Sequence, residues 1–540
     1  MIEADDVLGR VMLAFDGQEL PAAVGDRLRA APAAGVTLFR FSNVDSPRQV
    51  RSLTDAIQAA GRDGPAAVGR SPAPLLVAAD QEGGQLNALG DGTTPFAGNM
   101  ALGATGDPEL AERVARAIGL ELRAMGVNVD YAPVCDLATN PRNPAVGIRS
   151  FGDDPARVAP LVAAFVRGLQ SVGVAAGLKH FPGIGDVVDD THHGLATLDA
   201  ERARLDAKEL VPFRAGIAAG ARVVMSAHLA VPALTGRADL PSTLAPGVMS
   251  RLLREELGFD GVSITDALDM RALAQGPNQV LDVLAAVRAG IDLLLTAPDP
   301  VARERIESGL RHAASRGLLD PAADQATIAR LHSLRGWLAG FEVGDLEMVG
   351  CAEHGALAAE LAARSITLVR DDDGLIPLRV RADSRIAAIT PIPTDQTPAD
   401  TSSTVEPGLA RALRKHHAAV DEFVVAHAPS DDEIAGVLGS ISDHEVIVVG
   451  TTAAQLEPAQ AALVDALLVR TSGTVVTVAL RTPFDLAAYP ATRAHLSTYG
   501  ILAPTLDALA AILFGRAPAV GWLPAAVPGL HPTGYGIVRR

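Results

Sequence analysis

Short, almost uninterrupted apolar runs alternate with longer amphipathic stretches through roughly the first 340 residues. The runs fall at 36–41, 74–80, 127–133, 174–181, 222–228, 261–267 and 290–296, and they leave no regular wet face. A strand that is apolar on both sides belongs in a parallel sheet covered by helices on both faces. The intervening stretches, such as 108–125 and 156–172, have the spacing to supply those helices. Seven such repeats, with an eighth that has no obvious place, predict a TIM-like (β/α)₈ barrel.

A second alternation begins near Gly350. Strands are predicted at 365–370, 385–391, 420–426, 445–450, 473–480 and 495–500, with helical patterns such as 457–470 between them. This reads as an open, doubly wound α/β sandwich domain. The expected division is a barrel over residues 1–345 and the α/β sandwich over 346–540. Residues 392–407, rich in Pro, Thr and Asp, read as a long surface loop, and 518–536 as an irregular tail.

The chain is long enough to need more than one core at 540 residues. A net charge of −17 repels a phosphate backbone or an anionic bilayer, so neither nucleic acid nor membrane is an expected partner. No apolar run approaches the roughly 20 residues that span a bilayer. The acidic opening, Met1-Ile2-Glu3-Ala4-Asp5-Asp6, lacks the basic region of a signal peptide, and a cytoplasmic protein is expected. Two cysteines, Cys135 and Cys351, form neither a disulfide framework nor a CxxC metal motif.

The polar residues at the strand ends carry the chemistry. Asp80, Lys179 with His180, His228 and Asp266 each close a predicted strand, and in a barrel those ends meet on the face where active sites form. In "GVSITDALDM", Asp266 is a carboxylate at a strand tip. It suits a nucleophile for an anomeric carbon, or equally the N-cap of a following helix. In "KHFPGIGDVVDDTHHG", Asp190 and His192 are two apart, on one side of an extended segment. A carboxylate beside an imidazole fixes its tautomer and makes a general acid/base. His193 is expected to point outward. Asp186, Asp190, His192 and His193 could in number ligate a metal, but no HExxH or CxxC spacing supports one, so neither metal nor cofactor is expected.

These blocks, with "ADQEGG", "NPAVGIRSFGDDP", "PFAGNMALGAT" and "LPSTLAP", resemble glycoside hydrolase family 3, most of all its bacterial β-N-acetylglucosaminidases. "ARSITLVRDDDGLIPL" is similar to the start of the family's α/β sandwich domain. The resemblance implies a retaining exo-glycosidase acting on a small carbohydrate. It implies that Asp266 is the nucleophile, that His192 with Asp190 is the acid/base dyad, and that Asp80, Arg149, Lys179 and His180 bind the sugar. Two positions depart from the family pattern: Ile184 stands where a His is usual, and Gln85 where an Arg is usual. A β-glucosidase or β-xylosidase of the family would take its acid/base carboxylate from the second domain, where Glu433 and Glu457 are the candidates. A glycoside phosphorylase and a non-catalytic sugar-binding protein are further alternatives.

Overall fold

The computed structural model describes residues 5–63, 73–188 and 193–538. Eight parallel strands form the first sheet. They are β1 (Val11–Leu13), β2 (Gly35–Thr37), β3 (Leu76–Ala79), β4 (Val129–Asp130), β5 (Ala175–Phe181), β6 (Val223–Ser226), β7 (Val262–Thr265) and β8 (Leu294–Leu295). Each pairs with its neighbour in sequence, β8 pairs back onto β1, and a bridge between Ile264 and Leu293 draws β7 and β8 together. β1 is the eighth repeat that the sequence pattern left without a place. Its three-residue run follows a 3-10 turn rather than a helix, so it breaks the rhythm.

The strands are apolar on both sides because both sides are covered. Met12, Leu76, Val129, Val223, Met225, Ile264 and Leu295 fill the barrel interior, and Leu331, Leu334 and Leu338 of helix Pro321–Leu338 close its lower end. Outside, helices such as Pro108–Ala124 and Pro155–Gln170 pack against the sheet and each other. Four of these helices start on the same dipeptide. Asp107, Asp154, Asp299 and Asp320 accept the orphan N–H groups of the first turn, and a proline follows each at the first helical position.

The second sheet has six strands: β9 (Thr367–Asp371), β10 (Ile386–Pro391), β11 (Val420–Val425), β12 (Val446–Thr451), β13 (Thr474–Ala479) and β14 (Ala494–Ser497). Their order is β9-β14-β13-β12-β10-β11, with only the β9–β14 pair antiparallel. Ile386, Val446 and Val448 face helices Leu409–Arg414 and Ala503–Leu513. Ile389, Ile447 and Val449 face Asp431–Ser440 and Pro458–Arg470. The fold is thus a barrel followed by an α/β sandwich.

Residues 392–407 form the expected long irregular segment, with Ile392, Asp395, Pro398, Ser403, Thr404 and Glu406 exposed, but its middle turns inward. Asp400, Thr401 and Ser402 are buried against the barrel. Thr401 donates to the Gln85 carbonyl through N–H and hydroxyl, at 2.8 and 2.9 Å. The polar composition that suggested solvent is satisfied internally instead: the Asp400 carboxylate accepts from Arg481 at 2.8 Å and from Ser402 N–H at 2.8 Å. The tail has no regular elements, yet it joins both halves. Trp522 N–H donates to the Ala104 carbonyl, Asp153 accepts from Ala526 and Thr533, and Ile537 N–H donates to Leu368.

The lower rim depends on one fully buried carboxylate. Asp292 accepts from Arg254 and Arg330, both at 2.6 Å, from Thr327 at 2.8 Å and from Ser263 N–H at 2.9 Å. Removing it leaves two largely buried guanidinium groups without a counter-ion, a loss of about 3–5 kcal/mol. Asp292→Ala is therefore expected to lower the urea midpoint severely. A change under about 1 kcal/mol would refute the assigned role.

Candidate active site

Five adjacent strands, β3 to β7, deliver polar groups to the C-terminal mouth of the barrel. Apolar strand residues run up to the rim, and the first positions beyond them carry the charges. Asp80 follows β3, Asp130 ends β4, Lys179 and His180 lie near the end of β5, His228 follows β6 and Asp266 follows β7. Tyr131 lies among them. Its phenol is bonded to Thr37 at 2.9 Å, and it is pushed up chiefly by burial, with the negative charges of Asp80 and Asp266 adding to the rise. Asp80 and Asp266 thus both lie near enough to this buried ring for their charge to act on it.

Asp266 is half-buried. Its N–H donates to the Ser226 carbonyl on β6 at 3.1 Å, and its Oδ1 accepts the N–H of Ala267 at 2.8 Å. No helix follows it: turns occupy the next residues, and the next long helix is Gln279–Ala289. The N-cap alternative therefore has no helix to cap. His228 holds this corner from beneath. Its Nε2 donates to the Ala267 carbonyl at 3.1 Å, and its Nδ1 is hydrogen-bonded with the Thr243 hydroxyl at 2.8 Å.

On the other flank, Lys179 Nζ lies 2.6 Å from Asp80 and 2.5 Å from Glu82. Arg149 reaches Glu82 through Nε at 2.9 Å and Nη2 at 2.8 Å, the planar fork suited to a carboxylate. His180 donates from Nδ1 to Asp136 at 2.7 Å and turns Nε2 toward Arg149 Nη2 at 3.4 Å. The side chains of Lys179 and Glu82 are 1% exposed and that of Arg149 is 3% exposed, whereas Asp80 is 22% exposed. Asp80 is thus the member of the cluster that opens to the mouth, and the cations back it.

The electrostatics follow from that geometry. Burial pushes the Glu82 carboxyl up, but Arg149 and Lys179 outweigh it and bring the pKa down to about 2. Burial lowers Lys179, and Asp80 with Glu82 more than restore it. Asp130 has a different fate. It is fully buried, with one N–H donor from Gln81 at 2.9 Å and no cation in contact, and burial lifts its carboxyl well above the usual carboxylate range.

Asp190 and His192, the expected acid/base dyad, lie outside the described residues. His193 is exposed. The approach to the dyad is firmly held: Ile184 is buried, its N–H donates to Asp136 at 2.8 Å, and its carbonyl accepts from Asn143 at 2.7 Å. Asp186 is ion-paired with Arg204 at 2.6 Å. Among the described residues no group of three or more His, Cys, Asp or Glu converges as a metal cage. Gln85 Oε1 accepts from Arg481 at 2.5 Å, so a guanidinium from the second domain serves the corner where the family pattern has its own Arg.

Glu433 and Glu457 are committed to helix starts: Glu433 forms a capping box with Ser430, and Glu457 N-caps the helix Pro458–Arg470. Glu82, Asp130 and Asp136 were not singled out from sequence. Glu82 sits two residues past Asp80 and Asp136 three past a predicted strand, so acids just beyond strand ends were the available signal.

Residues 19–334 match the family model described as glycosyl hydrolase family 3 N terminal domain. Beta-hexosaminidase A of Pseudoalteromonas piscicida is 30% identical over 558 aligned residues, covering 94% of this chain and 91% of that protein. A Cellulomonas fimi protein named beta-N-acetylglucosaminidase/beta-glucosidase is 28% identical, covering 96% and 93%. The solved structure of a glycoside hydrolase family 3 beta-N-acetylglucosaminidase from Paenibacillus sp. superposes with a TM-score of 0.90 at 33% identity, covering 98% of this chain and 99% of that one.

Glu82 carries a pH signature. Its folded pKa lies below the unfolded value near ~4.3, so its stabilisation is complete above that value and is lost as pH falls toward about 2. The shift corresponds to roughly 3 kcal/mol. Glu82→Gln is expected to destabilise the protein at pH 7, and urea titrations should find the gap to wild type narrowing between pH 4.5 and 2. A gap constant across that window would refute the assignment.

Proposed function

The chain belongs to glycosyl hydrolase family 3, and from that premise we propose that it is a retaining, exo-acting β-N-acetylglucosaminidase whose catalytic unit is the barrel, residues 1–345. It is a glycoside hydrolase; the glycone and the residue roles are the proposal. The observation that carries it is the gathering of Asp266 and the Asp80–Lys179 pair at the C-terminal ends of strands of one barrel. The names of the Pseudoalteromonas and Paenibacillus relatives, aligned over nearly the whole chain, support the glycone.

In the first step an Asp266 carboxylate oxygen attacks the anomeric carbon as the bond to the leaving oxygen breaks. His192 gives its proton to that oxygen, and Asp190 stabilises the imidazolium through the transfer. In the second step His192 takes a proton from water, the water oxygen attacks the anomeric carbon, and the ester bond to Asp266 breaks. Asp80 accepts hydrogen bonds from the sugar hydroxyls, and Arg149, Lys179 and His180 complete the subsite. No metal or cofactor enters the scheme. The unpaired thiols of Cys135 and Cys351 support a reducing, cytoplasmic setting.

The double name of the Cellulomonas relative favours a second reading, in which glucosides are also cleaved. A panel of aryl N-acetylglucosaminides, glucosides and xylosides separates the two, and assaying phosphate buffer for sugar 1-phosphate separates hydrolysis from phosphorolysis. A slow fluorinated N-acetylglucosaminide is expected to label Asp266, and a label on any other residue sinks the mechanism. His192→Ala is expected to lower kcat/KM by about 10²–10⁴-fold on substrates whose leaving group needs a proton, and far less on 2,4-dinitrophenyl glycosides.

A further inference from the structure

The second domain turns the C-terminal edge of its parallel sheet toward the barrel. Strand order reverses between β10 and β12, the place where open α/β sheets commonly take a ligand. Here the loops after β10 and β12 contact the barrel instead. Thr401 is bonded to Gln85, and Gln455, on the loop after β12, donates from Nε2 to the Pro141 carbonyl at 2.5 Å. The loop that carries Gln455 is itself fixed. Gln460 Oε1 accepts from Thr452 N–H at 2.9 Å and from Ala453 N–H at 3.3 Å, and Thr451 donates to buried Asp485 at 2.6 Å.

Pro141 lies on a barrel loop, residues 139–143, whose other side grips the approach to the dyad. Asn140 Nδ2 donates to the Asp186 carbonyl at 3.0 Å, Asn143 Nδ2 to the Ile184 carbonyl at 2.7 Å, and the Thr139 hydroxyl to the Asp186 carboxylate at 3.2 Å. Contact is close here: a Cβ on Gly185 would lie 1.8 Å from the Leu137 carbonyl oxygen. Residues 182–188 are thus pressed between the barrel strands and the 139–143 loop, and Gln455 reaches that loop from the second domain.

We propose that Gln455 is a positioning residue for the protonation step: it holds the 139–143 loop, and through it the 182–188 segment that leads to Asp190 and His192. The proposal rests on reading His192 as the acid/base. Gln455 acts only through the acid/base group, and kcat/KM on substrates of differing leaving group isolates its effect on the first step. The glycone corner of Asp80, Glu82, Arg149 and Lys179 is held chiefly by its own ion pairs.

Leaving-group dependence tests this. A misplaced acid slows cleavage of substrates whose leaving group must be protonated, whereas a damaged glycone pocket or a partly unfolded protein slows all substrates alike. Gln455→Glu keeps the shape and removes the donor. Asn140→Asp keeps the Oδ1 that accepts from Arg142 N–H and removes the donor to Asp186. Each is expected to lower kcat/KM for the phenyl N-acetylglucosaminide by roughly 10-fold, leaving the 2,4-dinitrophenyl substrate within about 2-fold of wild type. The double variant should be no worse than Asn140→Asp alone, since both lie on one relay. Equal losses on both substrates, or no loss on either, would overturn the proposal. His192→Ala is run beside them. If it shows the leaving-group dependence and the other variants do not, Gln455 alone is wrongly assigned; if it lacks the dependence, the acid/base reading falls and takes this proposal with it.

Discussion

Two cations, Lys179 and Arg149, are buried beneath the barrel mouth, and Glu82 is the carboxylate they share. Burial disfavours a charged ammonium or guanidinium, and Glu82 supplies the counter-charge that offsets this cost for both. With Glu82 in place the two form a fixed positive layer behind Asp80. The arrangement leaves Asp80 half its pairing with protein and the rest open, which a group meant to grip neutral hydroxyls requires. Asp130, in the same corner, is shifted the opposite way: burial raises its carboxyl, and the more distant Lys179 offsets that only in part. Ion pairing thus lowers one buried acid of this corner while burial raises another.

The second domain is more than an appendage to this layout. Arg481 enters the corner at Gln85, residues 400–402 lie buried against the barrel, and Gln455 braces a loop beside the mouth. Beside these polar contacts runs an apolar one: Leu357, Ala358, Leu361, Phe484 and Tyr499 pack into the barrel's own core cluster. The apolar face holds the halves together, and the polar contacts, being directional, fix their relative position.

Much of this was legible in the sequence because its physics is local. Strands buried on both faces must be apolar throughout, so both sheets could be traced as runs, and the acid at 266 stood out at the tip of one. What escaped depends on contacts across the fold. β1 is too short to announce itself without its neighbours. Glu82 and Asp136 look like ordinary polar residues until Arg149 and His180 arrive from distant segments. Residues 392–407 have the composition of solvent-exposed chain, and only the partners Gln85 and Arg481 turn their middle inward. The Asp190/His192 pair remains a reading of spacing and resemblance.

The irregular tail has a consequence for assembly of the molecule. Asp153, on the barrel, is gripped by Ala526 and Thr533, while Ile537 pairs with a strand of the second sheet. These residues leave the ribosome after both sheets have been made. The strap can therefore join barrel to sandwich only once the chain of both sheets exists, and it adds a final tie to a contact that residues 400–402, Gln455 and Arg481 have already begun.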